Sequence, residues 1–373
     1  MFKLKHYDFK RYNILLLIIV IILGLIGAFL IKQVQVEGEN LYIKHLLGIA
    51  GGIILIIIVS LIDYHFICSF YIILYIINLG LLVLVKIKGV TFNDAKRWVY
   101  IGFQFQPSEL TKIILVLFIA MFFTVFRAKI NSFAIILISI ISIALPVYFI
   151  MKQPNLSTSL VIIFIFTMMI FAAGLSWKII LPVLLIGIPL FFGLFWYVQQ
   201  DYQGLLTPYQ RERVLSILDP DTHTKTMYQQ DNSVLSIGSG QLYGKLIAGD
   251  TSARGYSSVP INESDFIFTV AGEEFGFIGC CIILFLYGVI IYICLMTARM
   301  APDYLGMLIA VGLASMFMFQ VFVNIGVATS LLPNTGIPLP FLSSGLSSLI
   351  SGMLAVGIIL NIRLQPRKSR NQI

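Results

Sequence analysis

Ten long apolar runs follow one another along the chain, and charged, polar or Pro/Gly-rich segments separate them. Each run has about the length that crosses a bilayer as an α-helix, roughly 20 residues. A helix satisfies its own backbone hydrogen bonds, so it is the element expected inside lipid. The pattern predicts membrane helices at residues 14–31, 42–61, 66–86, 109–126, 132–149, 157–174, 178–198, 271–297, 304–330 and 346–363.

The composition agrees with this pattern. The chain has 373 residues, of which 59% are hydrophobic and 11% are charged. A soluble protein of this size cannot bury so much apolar surface, whereas lipid solvates it. Lys32 and Gln33 follow the first run in place of a small-residue cleavage site, so we expect a retained helix. The prediction is an all-α, polytopic integral membrane protein with a single membrane domain over residues 1–373.

The distribution of charge predicts the orientation of the chain. An even number of spans places both termini on one side, and the net charge of +8 includes basic clusters at both ends. Because cytoplasmic segments carry such an excess, we expect residues 1–13 and 364–373 in the cytoplasm and residues 199–270 as one long extracellular loop. The clusters suit anionic lipid headgroups, so no nucleic-acid partner is expected. Residues 86–108 are basic on the outer side, against the rule, which indicates an anionic ligand there.

The segment KRWVYIGFQFQPSELTK (96–112) combines charges with the start of a helix. Its proline suits the first helical position, which places Gln106 at the cap and Glu109 where a capping box has its acid. Lys112 follows on the same helix face. Capping by Glu109 and extension of Lys112 to the membrane surface are the structural alternatives. Together with Arg97, however, these two residues form a cluster suited to a phosphate or pyrophosphate.

Three acidic residues in NESDFIFTVAGEEFGF (262–277) stand at the edge of an apolar run or inside it. A carboxylate at bilayer depth costs about 2.5–3.5 kcal/mol, so it is usually paired or faces a polar cavity. Asp265 either caps the following helix or takes part in chemistry. Glu273 and Glu274 either pair with buried basic side chains or assist acid–base catalysis.

Two further polar segments lie between helices. In KQPNLSTSL (152–160), Asn155 or Ser157 is expected to cap a helix. The segment LLPNTGIPLPFLSSGLSSL (331–349) is mainly apolar despite three prolines, which predicts a re-entrant loop buried in protein. The four cysteines and four histidines lack the spacing of a metal site, so the sequence identifies no metal.

Four segments from the third helix to the last carry a family resemblance: RWVYIGFQFQPSELTK, QPNLSTSL, NESDFIFTVAGEEFGFIG and NIGVATSLLPNTGIPLPFLSSGLSSL. In this order they resemble the SEDS family (shape, elongation, division and sporulation) of bacterial membrane proteins, which includes RodA, FtsW and SpoVE. The resemblance implies a peptidoglycan glycosyltransferase that polymerises lipid II at the outer face of the bacterial cytoplasmic membrane, during elongation, division or sporulation. It also implies a class B penicillin-binding protein as partner.

The resemblance further implies roles for individual residues. Asp265 matches the family's catalytic acid and is expected to take the proton of a sugar hydroxyl. The expected substrate-binding residues are Arg97, Gln106, Ser108, Glu109 and Lys112. The expected supporting residues are Lys96, Asn155, Glu273, Glu274 and Ser343. A divalent cation, Mg²⁺ or Mn²⁺, is a further candidate for stabilising the departing pyrophosphate.

The chain departs from the usual family pattern at a few positions. Asn155 stands where the family often has Asp, and Ser157 where it often has Gly. If that acid assists catalysis in relatives, its absence predicts reduced or rearranged activity in this chain, although Asp265, Glu109 and Lys112 are kept. Two alternatives to an enzyme stay open, namely a lipid II flippase and a non-enzymatic scaffold for the penicillin-binding protein.

Overall fold

The computed structural model describes residues 7–35, 40–92, 95–100, 104–200, 224–250, 254–260 and 262–366, with the single residues 202, 204, 211, 215 and 252. In this part of the chain thirteen α-helices follow one another: α1 (Ile14–Val34), α2 (Leu41–Leu61), α3 (Tyr64–Ser69), α4 (Tyr71–Lys88), α5 (Pro107–Val125), α6 (Phe133–Lys152), α7 (Leu156–Ala172), α8 (Trp177–Gln199), α9 (Thr224–Ser239), α10 (Gly244–Ala248), α11 (Ile267–Met300), α12 (Tyr304–Ala328) and α13 (Leu346–Leu364).

The structure confirms a helical, multi-pass membrane architecture. Among the described residues, eight helices are long and apolar enough to cross a membrane, and α7 is a shorter apolar helix of 17 residues. Each of the ten predicted runs has its helix, although some ends differ. The run predicted at 66–86 is divided at Phe70 into α3 and α4. The run predicted at 271–297 begins earlier, at Ile267.

A small antiparallel sheet that the sequence analysis did not predict lies between α4 and α5. Its strands are β1 (Val90–Phe92), β2 (Ala95–Tyr100) and β3 (Gln104–Phe105), with β2 in the middle. Lys96 on β2 connects the sheet to α4. Its Nζ donates to the carbonyl oxygens of Lys86 and Ile87 over 3.0 and 3.1 Å. The lysine thereby satisfies carbonyl groups that the end of a helix leaves without partners.

The centre of the bundle is formed by α5, α12 and α13, which are the most buried of the spanning helices in the described chain. Small residues allow the close contacts. A Cβ at Gly312 of α12 would lie 2.8 Å from Val116 Cγ1 on α5. A Cβ at Gly27 of α1 would lie 2.6 Å from the carbonyl oxygen of Leu342. Such approaches are typical of membrane helices, where small side chains let backbones pack closely.

The segment between α12 and α13 is buried over residues 339–343, as predicted, whereas Leu331 at its start is 79% exposed. Leu339, Phe341 and Leu342 are at most 1% exposed. The hydroxyl of Tyr287 on α11 donates to the carbonyl of Pro340 over 2.5 Å. This buried segment lies at one end of the bundle. At the other end, the Asp8 amide donates to the Leu364 carbonyl over 2.9 Å, so the two ends of the described chain lie together.

Helix α11 is interrupted at Gly276, whose φ of 64° and ψ of −166° are not helical. Only glycine adopts such a backbone readily. The glycine-rich turn between α9 and α10 packs against α11 at this interruption. The amides of Phe277 and Ile278 donate to the carbonyls of Gln241 and Leu242 over 2.9 and 3.2 Å. The turn therefore supplies acceptors at the point where the helix breaks.

Candidate active site

An ion pair between Lys112 and Glu109 is buried near the start of α5. Nζ of Lys112 lies 2.8 Å from Oε2 of Glu109, and the side chains are 2% and 5% exposed. Lys112 therefore does not extend to the surface. Gln106 occupies the N-cap position without a side-chain capping bond, so the expected capping box is not formed. Because desolvation of two charges is costly, such a pair indicates function more readily than stability.

Polar side chains connect this ion pair to the start of α7. Asn155 caps α7, as predicted, because its Oδ1 accepts from the Thr158 amide over 3.2 Å. Its Nδ2 donates to Oγ of Ser108 over 3.5 Å. The same oxygen accepts from Nε2 of Gln106 over 3.0 Å. Ser108 directly precedes Glu109, so the structure brings these predicted site residues together at one end of α5.

Arg97 of β2 contacts the turn between α6 and α7. Its Nε donates to the Gln153 carbonyl over 3.2 Å, and its Nη2 donates to the Pro154 carbonyl. The guanidinium thereby fixes the turn that immediately precedes Asn155. Contact between Arg97 and a phosphate stays a prediction, as does any substrate role for Lys96, which holds the end of α4.

Asp265 lies two residues before α11 and is half-buried. Phe266 occupies the N-cap position of that helix, so the expectation that Asp265 caps it is wrong. The hydroxyl of Ser264 donates to Oδ1 of Asp265 over 3.1 Å. The backbone carbonyl of Asp265 accepts from Nδ2 of Asn324 on α12 over 2.8 Å. The side chain of Asp265 thus extends from a backbone that α12 holds in place through Asn324.

Three serines, one just before α13 and two in its first turns, connect the backbone next to Asp265 to the first turn of α5. Ser343 donates to the carbonyl of Ser264 over 2.6 Å. Ser347 accepts from the Gln106 amide over 3.0 Å, and Ser351 donates to the Glu109 carbonyl over 3.0 Å. The segment from 343 to 351 therefore bonds both to the residue before Asp265 and to the first turn of α5. These contacts hold the backbone next to Asp265 and the helix turn that carries the ion pair in fixed positions relative to each other. We call this arrangement around residues 343–351 the frame.

Glu273 and Glu274 are held in ion pairs rather than exposed to the frame around Asp265. Glu273 accepts from Nζ of Lys245 over 2.6 Å and from the Gly255 and Tyr256 amides over 2.7 and 2.8 Å. Glu274 accepts from Nε of Arg254 over 2.8 Å and from the Tyr256 hydroxyl over 2.9 Å. Both glutamates therefore pair with basic side chains, which was the structural alternative to a role in acid–base catalysis. They fasten the segment that precedes α11 onto that helix.

Sequence reasoning missed Ser347, Ser351 and Asn324. The signal was present, because each is a polar residue inside an apolar run, and the two serines are spaced so that they share one face of α13. Asn324 donates both to Asp265 and to the Ile337 carbonyl, at 2.8 and 2.7 Å. Its role depends on two partners that are distant in sequence, which periodicity alone does not reveal.

The described residues contain no group of three His, Cys, Asp or Glu side chains placed to hold a metal ion. The described side chains therefore do not form a site in which protein ligands alone surround a metal ion. Mg²⁺ is commonly bound by one or two carboxylates together with substrate phosphates. The divalent cation thus stays a prediction that depends on the substrate.

Comparisons with known proteins show the family of the chain. The family model of the cell cycle proteins FtsW, RodA and SpoVE matches residues 10–368. The stage V sporulation protein E of Bacillus subtilis (strain 168) is 34% identical over 363 residues, covering 94% of this chain and 96% of that protein. The peptidoglycan glycosyltransferase MrdB of Escherichia coli (strain K12) is 32% identical, covering 96% and 95%.

Solved structures show the same architecture. One chain, from work on the structural coordination of polymerization and crosslinking by a peptidoglycan synthase complex, has a TM-score of 0.79 and 28% identity, over 94% of this chain and 97% of that chain. The rod shape determining protein RodA of Thermus thermophilus has a TM-score of 0.66 and 25% identity, over 97% and 98%. From the match of sequence and fold, this chain belongs to the FtsW, RodA and SpoVE family of cell cycle proteins.

Proposed function

We propose that this protein is a peptidoglycan glycosyltransferase that polymerises lipid II into glycan strands. The observation that carries the proposal is the frame at the start of α13, which bonds both to the segment of Asp265 and to the turn with Glu109 and Lys112. A carboxylate and a fixed ammonium that are both attached to this segment suit a reaction in which a proton is removed while negative charge develops elsewhere.

In the proposed reaction, a sugar hydroxyl of one substrate attacks the anomeric carbon of a second. The carboxylate of Asp265 takes the hydroxyl proton as the new glycosidic bond forms. The bond between the anomeric carbon and the pyrophosphate oxygen breaks, and the lipid pyrophosphate leaves with the bonding electron pair on that oxygen. Lys112 stabilises this charge. Glu109 holds the ammonium in position, over 2.8 Å.

In this proposal the remaining site residues hold the other groups of the site in position. Gln106 and Ser108 present polar groups at the start of α5, where Gln106 donates to Ser108 and Ser108 also accepts from Asn155, the cap of α7. Arg97 fixes the turn before Asn155 and adds positive charge to that region. Mg²⁺ or Mn²⁺, bound through pyrophosphate oxygens, would add further charge stabilisation. Ser343 holds the backbone before the catalytic carboxylate.

The contact between the two ends of the described chain supports the proposed orientation. The Asp8 amide bonds to the Leu364 carbonyl at the end of α13, as expected when both termini are on the same side of the membrane. Lys10, Arg11 and Arg363 lie near this end, and cytoplasmic segments are enriched in such residues. We place both termini in the cytoplasm and Asp265 at the outer face of the bacterial cytoplasmic membrane. A class B penicillin-binding protein is the proposed partner, which agrees with the similarity to a chain of a peptidoglycan synthase complex.

The test uses the purified protein with its penicillin-binding partner, lipid II and either Mg²⁺ or Mn²⁺. We expect the parental complex to make glycan strands and Asp265→Asn to lose about 10²–10⁴-fold of the rate. Asp231→Asn is the matched control, since it makes the same change at an exposed position of α9 and should retain the rate.

Two other results would reject the proposal. Movement of labelled lipid II across vesicles without glycan synthesis favours a flippase. Binding of the penicillin-binding protein with neither activity favours a scaffold, as does full cell-wall function in Asp265→Asn.

A further inference from the structure

The short helix α10 and the turn before it have an inverted arrangement of charged and apolar side chains. Lys245 is turned inward, because its Nζ lies 2.6 Å from Oε1 of Glu273 and its side chain is only 10% exposed. The apolar side chains on either side of it are turned outward and are 43–69% exposed, namely Leu242, Tyr243, Leu246 and Ile247. We call these four residues the α10 face. Single exposed apolar residues are ordinary, whereas a group of them marks an interaction surface.

The α10 face is continuous with the outer surface of α11. The amides of Phe277 and Ile278 donate to the carbonyls of Gln241 and Leu242 over 2.9 and 3.2 Å. A Cβ at Gly244 would lie 2.2 Å from a backbone oxygen of α11, so the first residue of α10 lies directly against that helix. The side chains of Phe277 and Ile278 are themselves 66% and 42% exposed. The exposed apolar surface therefore extends from α10 onto α11.

The length of α11 gives the depth of this surface. The helix has 34 residues, whereas about 20 residues cross the hydrocarbon core of a bilayer. Arg299 is exposed at the end of the helix that is remote from Asp265. About 20 residues counted back from this charge reach Gly279. Phe277 and Ile278 therefore lie at the boundary of the hydrocarbon core, and the turn that bonds to them lies at the same depth.

The part of α11 that follows this boundary presents apolar side chains of the same kind. Ile282 and Phe285 are 53% and 70% exposed, on a helix that is long and apolar enough to span a membrane. Such side chains face the acyl chains of the lipid. The α10 face thus continues a surface that is already in contact with lipid.

The polar groups around the α10 face also suit the boundary of a membrane. Tyrosine is enriched there because its ring is apolar and its hydroxyl is polar, and Tyr243 is the aromatic residue of this face. Gly249 ends α10 in a left-handed conformation, with φ of 65°. Asp250 follows it and is exposed, so the chain returns to water directly after Ile247 and Ala248. An interfacial segment buries its apolar face about 5–10 Å into the region between headgroups and acyl chains.

We infer that the α10 face inserts into the lipid bilayer, at the boundary between headgroups and acyl chains of the leaflet on the side of the candidate site. This inference does not depend on the proposed reaction. Lys245 and Arg254 fasten the same segment to α11 from the protein side, over 2.6 and 2.8 Å. Lipid contact on the other side fixes the depth of the segment that leads to Asp265. A protein partner, a second copy or another part of this chain are the competing occupants of the face.

The first test identifies what covers the face. Benzoylphenylalanine replaces Ile247 in the full chain, which is reconstituted in phosphatidylglycerol vesicles, illuminated and examined for adducts by mass spectrometry. The same replacement at Phe285 is the reference for lipid contact, and at Asp250 it is the control in water. We expect a yield of lipid adduct at Ile247 close to that at Phe285 and about tenfold above that at Asp250, since acyl chains reach only the first two positions.

Three results of this experiment would overturn the inference. A lipid adduct at Ile247 no more abundant than at Asp250 would show that the face lies in water. Adducts within the chain or to a second copy would show that protein covers it. Loss of the lipid adduct when a penicillin-binding protein is added, with a cross-link to that protein in its place, would assign the face to the partner. Persistence of the lipid adduct in the presence of the partner is the expected result.

The second test uses hydrogen exchange in the same vesicles. Ile247→Asp should accelerate exchange of the peptide that covers residues 241–250 about tenfold, because an apolar side chain is replaced by a charge in an apolar environment. Ile247→Phe keeps an apolar side chain and should retain the parental exchange rate. Asp250→Asn, three residues away and exposed, should retain it as well. Parental exchange in Ile247→Asp would overturn the insertion of the α10 face.

Discussion

Nε2 of His65 lies 2.6 Å from Oδ2 of Asp303, and Nδ1 of the same ring lies 2.8 Å from Oδ1 of Asp63. One imidazole therefore bridges the α2–α3 connection to the residue that caps α12. The Tyr64 hydroxyl also donates to Asp303 over 2.9 Å, and Nε2 of Gln365 donates to Asp63 over 2.8 Å. The bridge joins three segments at the end of the bundle that holds the termini.

We predict that this bridge makes stability depend on pH. Burial lowers the pKa of His65, but hydrogen bonds and charges from Asp303 and Asp63 outweigh burial and raise the pKa above 6.5. The folded-state pKa then exceeds the unfolded value, so the contribution is complete below about pH 6.5 and is lost as the pH rises through the raised value. The Tm in detergent should fall as the pH rises above neutrality.

The control is His65→Gln, which should flatten this dependence of Tm on pH. Asp303→Asn should flatten it as well, because it removes one of the two carboxylates that raise the pKa. A slope in His65→Gln equal to that of the parental protein would show that other groups cause the dependence.

A second prediction separates the structural and chemical roles of the buried ion pair. Glu109→Gln leaves the ammonium of Lys112 buried without its carboxylate, which should lower the free energy of unfolding by about 3–5 kcal/mol. The double variant Glu109→Gln/Lys112→Met removes both charges and should recover most of this loss. Neither variant should recover glycan synthesis, because the cation is displaced or absent. Chemical unfolding and the polymerisation assay give the two readouts.

Lys112→Arg provides the finer control of this prediction. It keeps the charge, but a planar guanidinium does not take the place of an ammonium that is 2.8 Å from Glu109 in a buried site. We expect reduced synthesis with a smaller loss of stability than in Glu109→Gln. Parental activity in the double variant would show that the pair is only structural.

A third prediction concerns the segment that precedes α11. Glu273→Gln weakens the bond to Lys245, whose side chain is only 10% exposed, and should cost about 3–5 kcal/mol locally. Hydrogen exchange of the peptide that contains Gly255 and Tyr256 should accelerate, since both amides donate to this carboxylate. Asp250→Asn, at an exposed acid of the same segment, is the control and should leave that peptide protected. An unchanged rate of hydrogen exchange in Glu273→Gln would show that this carboxylate does not fasten the segment onto α11.

A fourth prediction concerns Asn155, which stands where the family often has an acid. Asn155→Asp keeps an oxygen for the Thr158 amide, so stability should change little, while Asn155→Ala should lose about 1 kcal/mol. Asn155→Asp also replaces the donor to Ser108 by an acceptor. For Asn155→Asp we expect a change in kcat without a change in Tm, with both quantities measured on the same preparation. A large fall in Tm for Asn155→Asp would show that the bond to Ser108 is needed for folding.

The spans were predictable because each is long, apolar and ended by charge or by Pro and Gly. Their exact ends were less so. Phe70 separates α3 from α4 inside one apolar run, and hydropathy does not register that break. The small sheet was missed since its strands are only two to six residues long.

The candidate site was predictable as a set of residues but not as a set of contacts. Glu109 and Lys112 are close in sequence, so helical spacing predicts that they share a face. The partners of Arg97, Glu273 and Asp265 lie tens of residues away or in backbone groups, and single-sequence patterns carry no information on them. Family resemblance supplied roles for Arg97 and Asp265, while the structure supplied what holds each of the three residues.

The interruption at Gly276 divides α11 into two parts with different attachments. In an uninterrupted helix the amides of residues 277 and 278 would bond to carbonyls four residues earlier, yet here they bond to the turn at Gln241 and Leu242. The part that follows Asp265 is therefore built jointly with the polar segment before it, and the rest of α11 is an ordinary membrane anchor. A chimaera between relatives would have to exchange residues 238–278 as one cassette, because the turn at Gln241 and Leu242 bonds to the amides of residues 277 and 278.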